Sequence, residues 1–353
     1  MNCTMEDYLK VVTPHLRPEL VSPEALSRIR ALAQILPPFS PVLFECRLGA
    51  DQPRVDFEVY FSCVAPSLPE IFLNHPTWRS FQEICQEWTE LESSLHQKVK
   101  HIWLEFDVDG QPVEVPVPCI FFSLNQKTVS EPQELIEMAS RLLNHSVSSL
   151  IESNLRLSMD CLPAKARIIY LGAMLSRSNQ AARIVISGIR PDQLIDYLVK
   201  IGWGNPTDTL HSLVSKLSEF VDHIQLACDV GETIMPRIGL ECFLLEQPKN
   251  ETRWQLFLDY LVETGLCTPA KQNALFAWPG FFQKVSQPEI WPNNLTWGDL
   301  FLGARAFSIF TRNINHIKII YQPGTSLEAK AYLSFAHKWF DASPLRPILY
   351  NAA

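Results

Sequence analysis

Charged and aromatic side chains recur in this chain at every second position of short alternating segments, so that one face of a strand would collect them. The side chains that stand out are Glu45, Tyr60, Trp103, Glu105, Arg183, Asp229, Arg237, Glu241, Lys318, Lys330 and Tyr332. Lysine and arginine stabilise anionic groups, aromatic faces attract cations, and carboxylates orient ligands or accept protons. The same residue types also pair across strands as structural salt links, so either reading remains open for each position.

Three of the alternating segments begin with His followed by Ile, at positions 101, 223 and 316. Each runs to a turn that contains Gly or Pro and returns as a second alternating segment, which is typical of a β-hairpin. Two further segments, starting near 41 and 167, keep the pattern without the His. The sequence therefore predicts five hairpins separated by helices. The three histidines lie at predicted strand starts, where a solvated rim position is a better expectation than a metal ligand.

The predicted hairpin arms are 41–48 with 54–62, 101–108 with 113–124, 167–175 with 182–189, 223–230 with 237–245, and 316–321 with 328–335. Three prolines in or beside 113–124 mark that arm as an edge or irregular strand. Cap, proline and glycine signals predict helices at 25–36, 69–99, 134–154, 192–201, 207–220, 251–263, 297–309 and 336–340. Ser130 and Gln133 are the expected capping box of the helix at 134–154. The segment 268–296 is an aromatic and Pro-rich insertion, more suited to packing than to a mobile cover.

Strict alternation gives each arm one apolar and one polar face. The intervening helices can cover the apolar faces. If the ten arms close into a ring, no edge stays open and the polar faces line an interior larger than that of an eight-stranded barrel. We therefore expect an α/β fold in which a ten-stranded antiparallel β-barrel of five ββα units is ringed by α-helices. This barrel is expected to span 22–340 of a single domain, 1–353.

Composition limits the function further. The net charge of −8 and the absence of a Lys/Arg cluster argue against nucleic-acid binding. The nine cysteines include no Cys-x-x-Cys pair, which fits reduced thiols in a cytoplasmic protein. No signal peptide and no apolar run of membrane-spanning length is visible in the sequence.

The layout of residues 226–231 leading to 237–241, and of 183–186 leading to 191–194, resembles the hairpins of the αββα-barrel (ABBA) aromatic prenyltransferases. That family includes the dimethylallyltryptophan synthases and enzymes that prenylate cyanobactin peptides. The resemblance covers about residues 22–340 as topology and implies that two substrates, a prenyl pyrophosphate and an aromatic or peptide acceptor, meet inside the barrel. Lys330-Ala331-Tyr332 is similar to the family's Lys-x-Tyr pattern, whereas Arg183, Arg237 and Lys318 lack the paired Tyr.

The resemblance implies a role for each candidate residue. Arg183, Arg237, Lys318 and Lys330 would hold the pyrophosphate, and Tyr332, Trp103 and Tyr60 would shield the allylic cation. Glu105, then Glu45, Asp229 and Glu241, would orient the acceptor or take its proton. Mg²⁺ with the pyrophosphate is a further expectation, through Asp107 and Asp109, although Asp109 equally begins an Asp-Gly turn. The alternatives are a non-catalytic barrel that binds an apolar ligand or peptide, and different peptide-modifying chemistry on the same barrel.

Overall fold

The computed structural model describes residues 3–50, 54–61, 70–108, 115–177, 181–286 and 288–341. Its strands, all antiparallel to their neighbours, are β1 (Val42–Arg47), β2 (Val55–Phe61), β3 (Val99–Phe106), β4 (Cys119–Leu124), β5 (Arg167–Ala173), β6 (Ala182–Ser187), β7 (His223–Val230), β8 (Ile234–Phe243), β9 (Gly280–Phe282), β10 (Ala306–Tyr321) and β11 (Glu328–Asp341). Strands β1 to β8 follow one another in space, and β8 is followed by β10 and β11. Because β11 also pairs with β1, these ten strands form a closed barrel. The predicted fold class is confirmed.

The helices flank this barrel. They are α1 (Met5–Val12), α2 (Pro23–Ile35), α3 (Pro76–Thr89), α4 (Ser94–Lys98), α5 (Pro132–Leu143), α6 (Ser149–Asp160), α7 (Pro191–Lys200), α8 (Asp208–Ser218), α9 (Arg253–Glu263), α10 (Pro269–Ala277) and α11 (Asn293–Leu302). The Ser22 side chain caps α2 by accepting a hydrogen bond from the Ala25 backbone N–H. No helix among the described residues combines the length and the apolarity needed to cross a bilayer.

The last hairpin is much longer than the sequence suggests. The helix predicted at 297–309 extends too far, because α11 stops at Gly303 (φ 53°) and 306–315 is strand. The helix predicted at 336–340 is wrong, because 336–341 is strand. Residues 306–314 pair with 333–341, so the helical preference of a short segment yields to the strand partner beside it. The short strand β9 adds to this extension by pairing with residues 310–312.

Two further boundaries correct the sequence predictions. The helix expected at 134–154 is two helices, since Asn144 adopts a left-handed conformation (φ 58°) and ends α5. The capping box lies one residue later than predicted, between Glu131 and Glu134, because Pro132 occupies the first helical position. Residues 113 and 114 of the arm predicted at 113–124 lie outside the described residues; in the rest of that arm the strand begins at Cys119, after the last proline, and β4 lies within the closed ring rather than at an edge. The predicted turns around 51–53, 109–112 and 178–180 and the strand end at Ser62 lie outside the described residues.

The outward strand faces and the helices share one apolar core. Phe44 on β1 illustrates it, with its ring packed against those of Phe57, Phe335 and Trp278 at centroid distances of 5.7, 5.6 and 6.2 Å. Trp278 and Trp291 of the aromatic insertion are both buried, so they act as packing residues. The eight described cysteines form no disulfide.

Replacing Phe44 with Ala tests the importance of this packing. We expect the free energy of unfolding to fall by about 3–5 kcal/mol, because the ring is fully buried between three others. Urea unfolding measures the change. The matched control is Phe301→Ala, whose ring is 87% exposed and whose loss should cost less than about 0.5 kcal/mol. Equal effects for the two variants would contradict this view of the core.

Candidate functional site

The barrel interior contains two adjoining chambers. The charged chamber, of about 790 Å³, lies towards the hairpin turns and is bordered by Arg47, Arg54, Glu105, Asp107, Arg177, Arg183, Asp229, Arg237, Lys318, Glu328 and Lys330, among others. The aromatic chamber, of about 250 Å³, is bordered by Leu43, Glu58, Trp103, Phe121, Tyr170, Val185, Phe243, His316 and Tyr332, among others. Glu105, Arg183 and Lys318 border both, so the two chambers meet at these side chains.

The four cations chosen from the sequence all border the charged chamber, although they come from β6, β8, β10 and β11. Each has a carboxylate partner. Lys330 donates to Glu45 at 2.6 Å, Lys318 to Glu241 at 2.9 Å, and Arg183 to Asp229 in a bidentate pair at 2.7 and 2.9 Å. Arg237 reaches Glu328 at 3.3 Å near the mouth. The chamber therefore contains cations that could bind an anionic ligand, and these cations neutralise carboxylates.

Two arginines that the sequence analysis did not select belong to the same network. Arg47 lies between Glu45 at 2.8 Å and Asp56 at 2.5 Å. Arg177, just beyond β5, reaches Glu105 at 2.9 Å and Asp107 at 2.7 Å. Arg47 could have been found from its alternation with Glu45, whereas Arg177 follows the strand in a segment predicted as a polar turn.

Like charges lie opposite one another around the ring. Lys318 and Lys330 are register partners on β10 and β11, and Glu58 and Glu105 are partners on β2 and β3. Directly opposed like charges destabilise a sheet unless other groups compensate. Burial alone would raise the pKa of Glu45, but Lys330, Arg47 and Lys318 together hold that pKa well below its usual range. Tyr332 also donates its hydroxyl proton to Glu45.

Glu58 differs from the other interior carboxylates. Among the described residues it has neither a hydrogen bond nor an ion pair, in contrast to Glu45 and Glu105. Burial, followed by the charges of Glu105 and Glu45, raises its pKa well above the ordinary value. Glu58 also borders the aromatic chamber. In the sequence Glu58 alternates with apolar residues on the polar face of its strand, but nothing there shows that it lacks a partner.

Aromatic rings line opposite walls of the smaller chamber. Four rings form one stack, with centroid distances of 4.8 Å for His223 to Phe243, 4.7 Å for Phe243 to His316 and 4.0 Å for His316 to Tyr332. The last three of these rings border the chamber. Trp103 borders the chamber on β3. Tyr60, the third aromatic candidate, instead hydrogen-bonds His101 at 2.7 Å and packs on Trp103 at 4.9 Å, so it supports the wall from outside the lining set.

Two glycines make room for lining side chains. A Cβ atom on Gly239 would lie 2.3 Å from Cε of Lys318, so the bare backbone there lets the lysine stem cross β8. A Cβ atom on Gly172 would lie 2.2 Å from the ring of Phe121, its register partner. Neither close approach is visible in the sequence, because each depends on the partner strand.

The histidines differ from the prediction in one case. His101 and His223 are half-buried at the starts of their strands, whereas His316 is buried in the interior, because β10 begins ten residues earlier than predicted. Among the described residues, two sets could offer oxygen ligands to a metal ion: Glu45, Glu58 and Glu105, and Asp56, Glu105 and Asp107. Both sets consist of carboxylates, which suit Mg²⁺. Asp109 lies outside the described residues.

Glu58 makes the pH dependence of stability a direct test of this site. A carboxyl whose pKa is raised on folding holds its proton more tightly in the folded chain than in the unfolded chain. The free energy of unfolding is therefore highest below the ordinary pKa of 4.5, and it falls as the pH rises. We therefore expect Glu58→Gln to become increasingly stabilising relative to the parent chain between pH of about 5 and about 8. Urea unfolding at both values measures this. Glu83→Gln, at an exposed position on α3, is the control, and a Glu58→Gln effect that does not change with pH would contradict the assignment.

Comparison with protein-family models finds no match, and comparison with curated proteins finds none either. Solved structures give distant similarities. A 5-dimethylallyltryptophan synthase from Streptomyces coelicolor is 14% identical, with 83% of this chain and 80% of that chain covered and a TM-score of 0.43. Its complex with DMASPP and Trp is also 14% identical, with 93% and 88% covered and a TM-score of 0.43. The prenyltransferase PriB, in its apo form, is 13% identical, with 84% and 80% covered and a TM-score of 0.48. Similarity at this level carries no evidence of activity; the architecture, a closed barrel of ten antiparallel strands flanked by helices, rests on the strand order of this chain.

Proposed function

We propose that this chain is a prenyltransferase that moves a prenyl group from a prenyl diphosphate to an aromatic acceptor. The observation that carries the proposal is the adjoining pair of chambers: one gathers cations from several strands, and the other is lined by aromatic rings. Cations stabilise the negative charge that develops on a departing diphosphate. Aromatic faces stabilise the allylic cation that the departure leaves behind.

Lys318 lies where the diphosphate and the allylic cation would meet. Its Nζ lies 5.9 Å from the centre of the Tyr332 ring and 2.9 Å from Glu241, at the boundary between the chambers. Lys330, Arg183 and Arg237 border the same chamber and would hold the remaining phosphate oxygens. The allylic end of the substrate would then lie towards Tyr332 and Trp103.

In the proposed reaction, the bond between C1 of the prenyl group and the diphosphate oxygen breaks, and the oxygen keeps the electron pair. An atom of the acceptor ring forms a new bond to C1 and loses its proton. Glu58 is our choice to orient the acceptor and, in its ionised form, to take that proton. We prefer it to Glu105 and Glu45, because Arg177 holds Glu105 while Lys330 and Arg47 hold Glu45.

Glu105 and Asp107 would hold a Mg²⁺ ion that accompanies the diphosphate, since their oxygens and one of Asp56 lie within 4.8 Å of one another. Such an ion would neutralise charge on the leaving group. A peptide could supply the aromatic acceptor, because Arg237 is 46% exposed and the charged chamber opens beside it. The free thiols support a cytoplasmic setting.

A second candidate is a non-catalytic barrel that binds an apolar ligand or a peptide segment. The observation that favours it is the pairing of the chamber's cations with carboxylates, since a diphosphate would have to compete with those partners. Formation of a prenylated product, detected by mass spectrometry with an aromatic acceptor, separates the two candidates.

Dimethylallyl diphosphate should bind the native chain and raise its thermal midpoint, and geranyl and farnesyl diphosphate test the prenyl length. The double variant Lys318→Gln with Glu241→Gln removes one cation without leaving a buried carboxylate unpaired. We expect its affinity for dimethylallyl diphosphate, measured by calorimetry, to fall roughly 10- to 100-fold, the range for charge-assisted hydrogen bonds. Arg190→Gln, in an exposed ion pair, should leave the affinity unchanged. If no prenyl diphosphate binds at saturating concentration, prenyl transfer is excluded.

Replacing Glu58 with Gln tests the proton acceptor. We expect kcat to fall about 10²- to 10⁴-fold, which is the usual contribution of general base catalysis. In the parent chain, activity should rise with pH as the Glu58 carboxyl ionises, with a midpoint above its ordinary pKa. In Glu58→Gln the increase of activity with pH should be absent, and the affinity for dimethylallyl diphosphate should be the same as in the parent chain. An unchanged pH profile would remove Glu58 from the mechanism.

A further inference from the structure

The wall of the aromatic chamber contains an imidazole nitrogen without a partner. His316 is 7% exposed, and among the described residues its Nε2 has no hydrogen bond. A buried polar atom without a partner costs about 1–3 kcal/mol, so such atoms are rare in folded proteins. His316 also borders the aromatic chamber, so a ligand there can supply what the protein does not.

The opposite side of the ring determines what kind of partner is missing. Nδ1 of His316 lies 2.7 Å from Oδ1 of Asn315, and an amide oxygen only accepts hydrogen bonds. The proton of the imidazole is therefore on Nδ1, and Nε2 carries a lone pair. Burial lowers the pKa of His316 to about 4, so the ring is neutral at physiological pH. Nε2 thus requires a donor.

The plane of the ring is held by its neighbours. Tyr332 stacks on one face at 4.0 Å and Phe243 on the other at 4.7 Å. Stacking on both faces leaves the edge of the imidazole as the part that a ligand can contact. Nε2 has almost no accessible surface, so contact with a ligand requires the imidazole edge to turn towards the chamber within the stack.

From these contacts we infer that His316 selects the acceptor: the aromatic chamber takes a planar aromatic ligand with an N–H or O–H group that donates a hydrogen bond to Nε2. This inference rests on the proposed function, in which the chamber holds the acceptor, and it adds a specificity rule. Aromatic compounds of the same shape without a donor should bind more weakly, because they bury Nε2 without satisfying it. Asn315 has a positioning role, since its amide oxygen keeps the proton on Nδ1.

Indole and benzofuran are suitable probes, because they have nearly the same shape and differ in whether the ring heteroatom carries a hydrogen. Their dissociation constants are measured by ligand-observed NMR on the full chain, with no diphosphate present. We expect indole to bind the parent chain roughly tenfold more tightly, the factor expected of one hydrogen bond. In His316→Phe, which keeps a ring in the stack, the two probes should bind equally well. Asn315→Leu should reduce the preference, because either nitrogen can then carry the proton.

His223→Phe is the matched control. It makes the same substitution in the same stack, but His223 is not among the residues that border the aromatic chamber. It should keep the full preference for indole, and thermal unfolding of all variants checks that they are folded. Equal binding of the two probes by the parent chain, a preference for benzofuran, an undiminished preference in His316→Phe, or no binding of either probe would overturn the inference.

A parallel titration with inorganic pyrophosphate distinguishes failure of the indole preference from failure of the proposed prenyl transfer. If pyrophosphate binds and the indole preference is absent, prenyl transfer stands and the role of His316 fails. If the indole preference is present and pyrophosphate does not bind, the specificity rule stands for a chamber with another function.

Discussion

The closed ring of strands imposes the main constraint on this protein, because it turns all polar strand faces towards one interior. Most charges on those faces have little contact with bulk solvent, so burial favours their pairing with other interior groups. The pairs Lys330–Glu45, Lys318–Glu241 and Arg183–Asp229 meet this requirement across neighbouring strands. The pairing of β10 with β11 and of β11 with β1 brings Lys318, Lys330 and Glu45 together from positions nearly 300 residues apart.

The cations and carboxyl groups are distributed unevenly around the ring of strands. Cations dominate where β10 meets β11, whereas carboxyl groups dominate across β1, β2 and β3. The Nε2 atom of His316 is buried and has no hydrogen bond among the described residues, and Glu58, which is half-buried, makes no hydrogen bond or ion pair with them. Both border the chamber whose other walls are aromatic. A buried nitrogen without a hydrogen bond and a carboxyl with a raised pKa, both beside one chamber and close to several cations, are the features we expect of a binding site rather than of a purely structural interior.

The sequence was sufficient to predict the barrel and the face on which each candidate side chain lies, because strict alternation has only two outcomes per strand. It also predicted that Arg183, Lys318 and Lys330 would share one interior, since these residues fall on the polar faces. It could not predict which carboxyl stays unpaired, because that depends on register between distant strands. Glu58 and Glu105 have the same sequence signature, yet only Glu105 meets Arg177. His316 was misplaced for a related reason: its strand continues for ten residues before it, and only pairing with β11 reveals this.

The central claim is that the charged chamber receives a diphosphate whose allylic end faces the aromatic chamber. A crystal structure with dimethylallyl S-thiolodiphosphate, which does not ionise readily, tests this most directly. We expect the diphosphate oxygens within hydrogen-bonding distance of Lys318, Lys330 and Arg183, with the dimethylallyl group against Tyr332 and Trp103. A ligand outside the barrel, or a charged chamber in which all carboxylate pairs persist and no diphosphate is bound, would contradict the account.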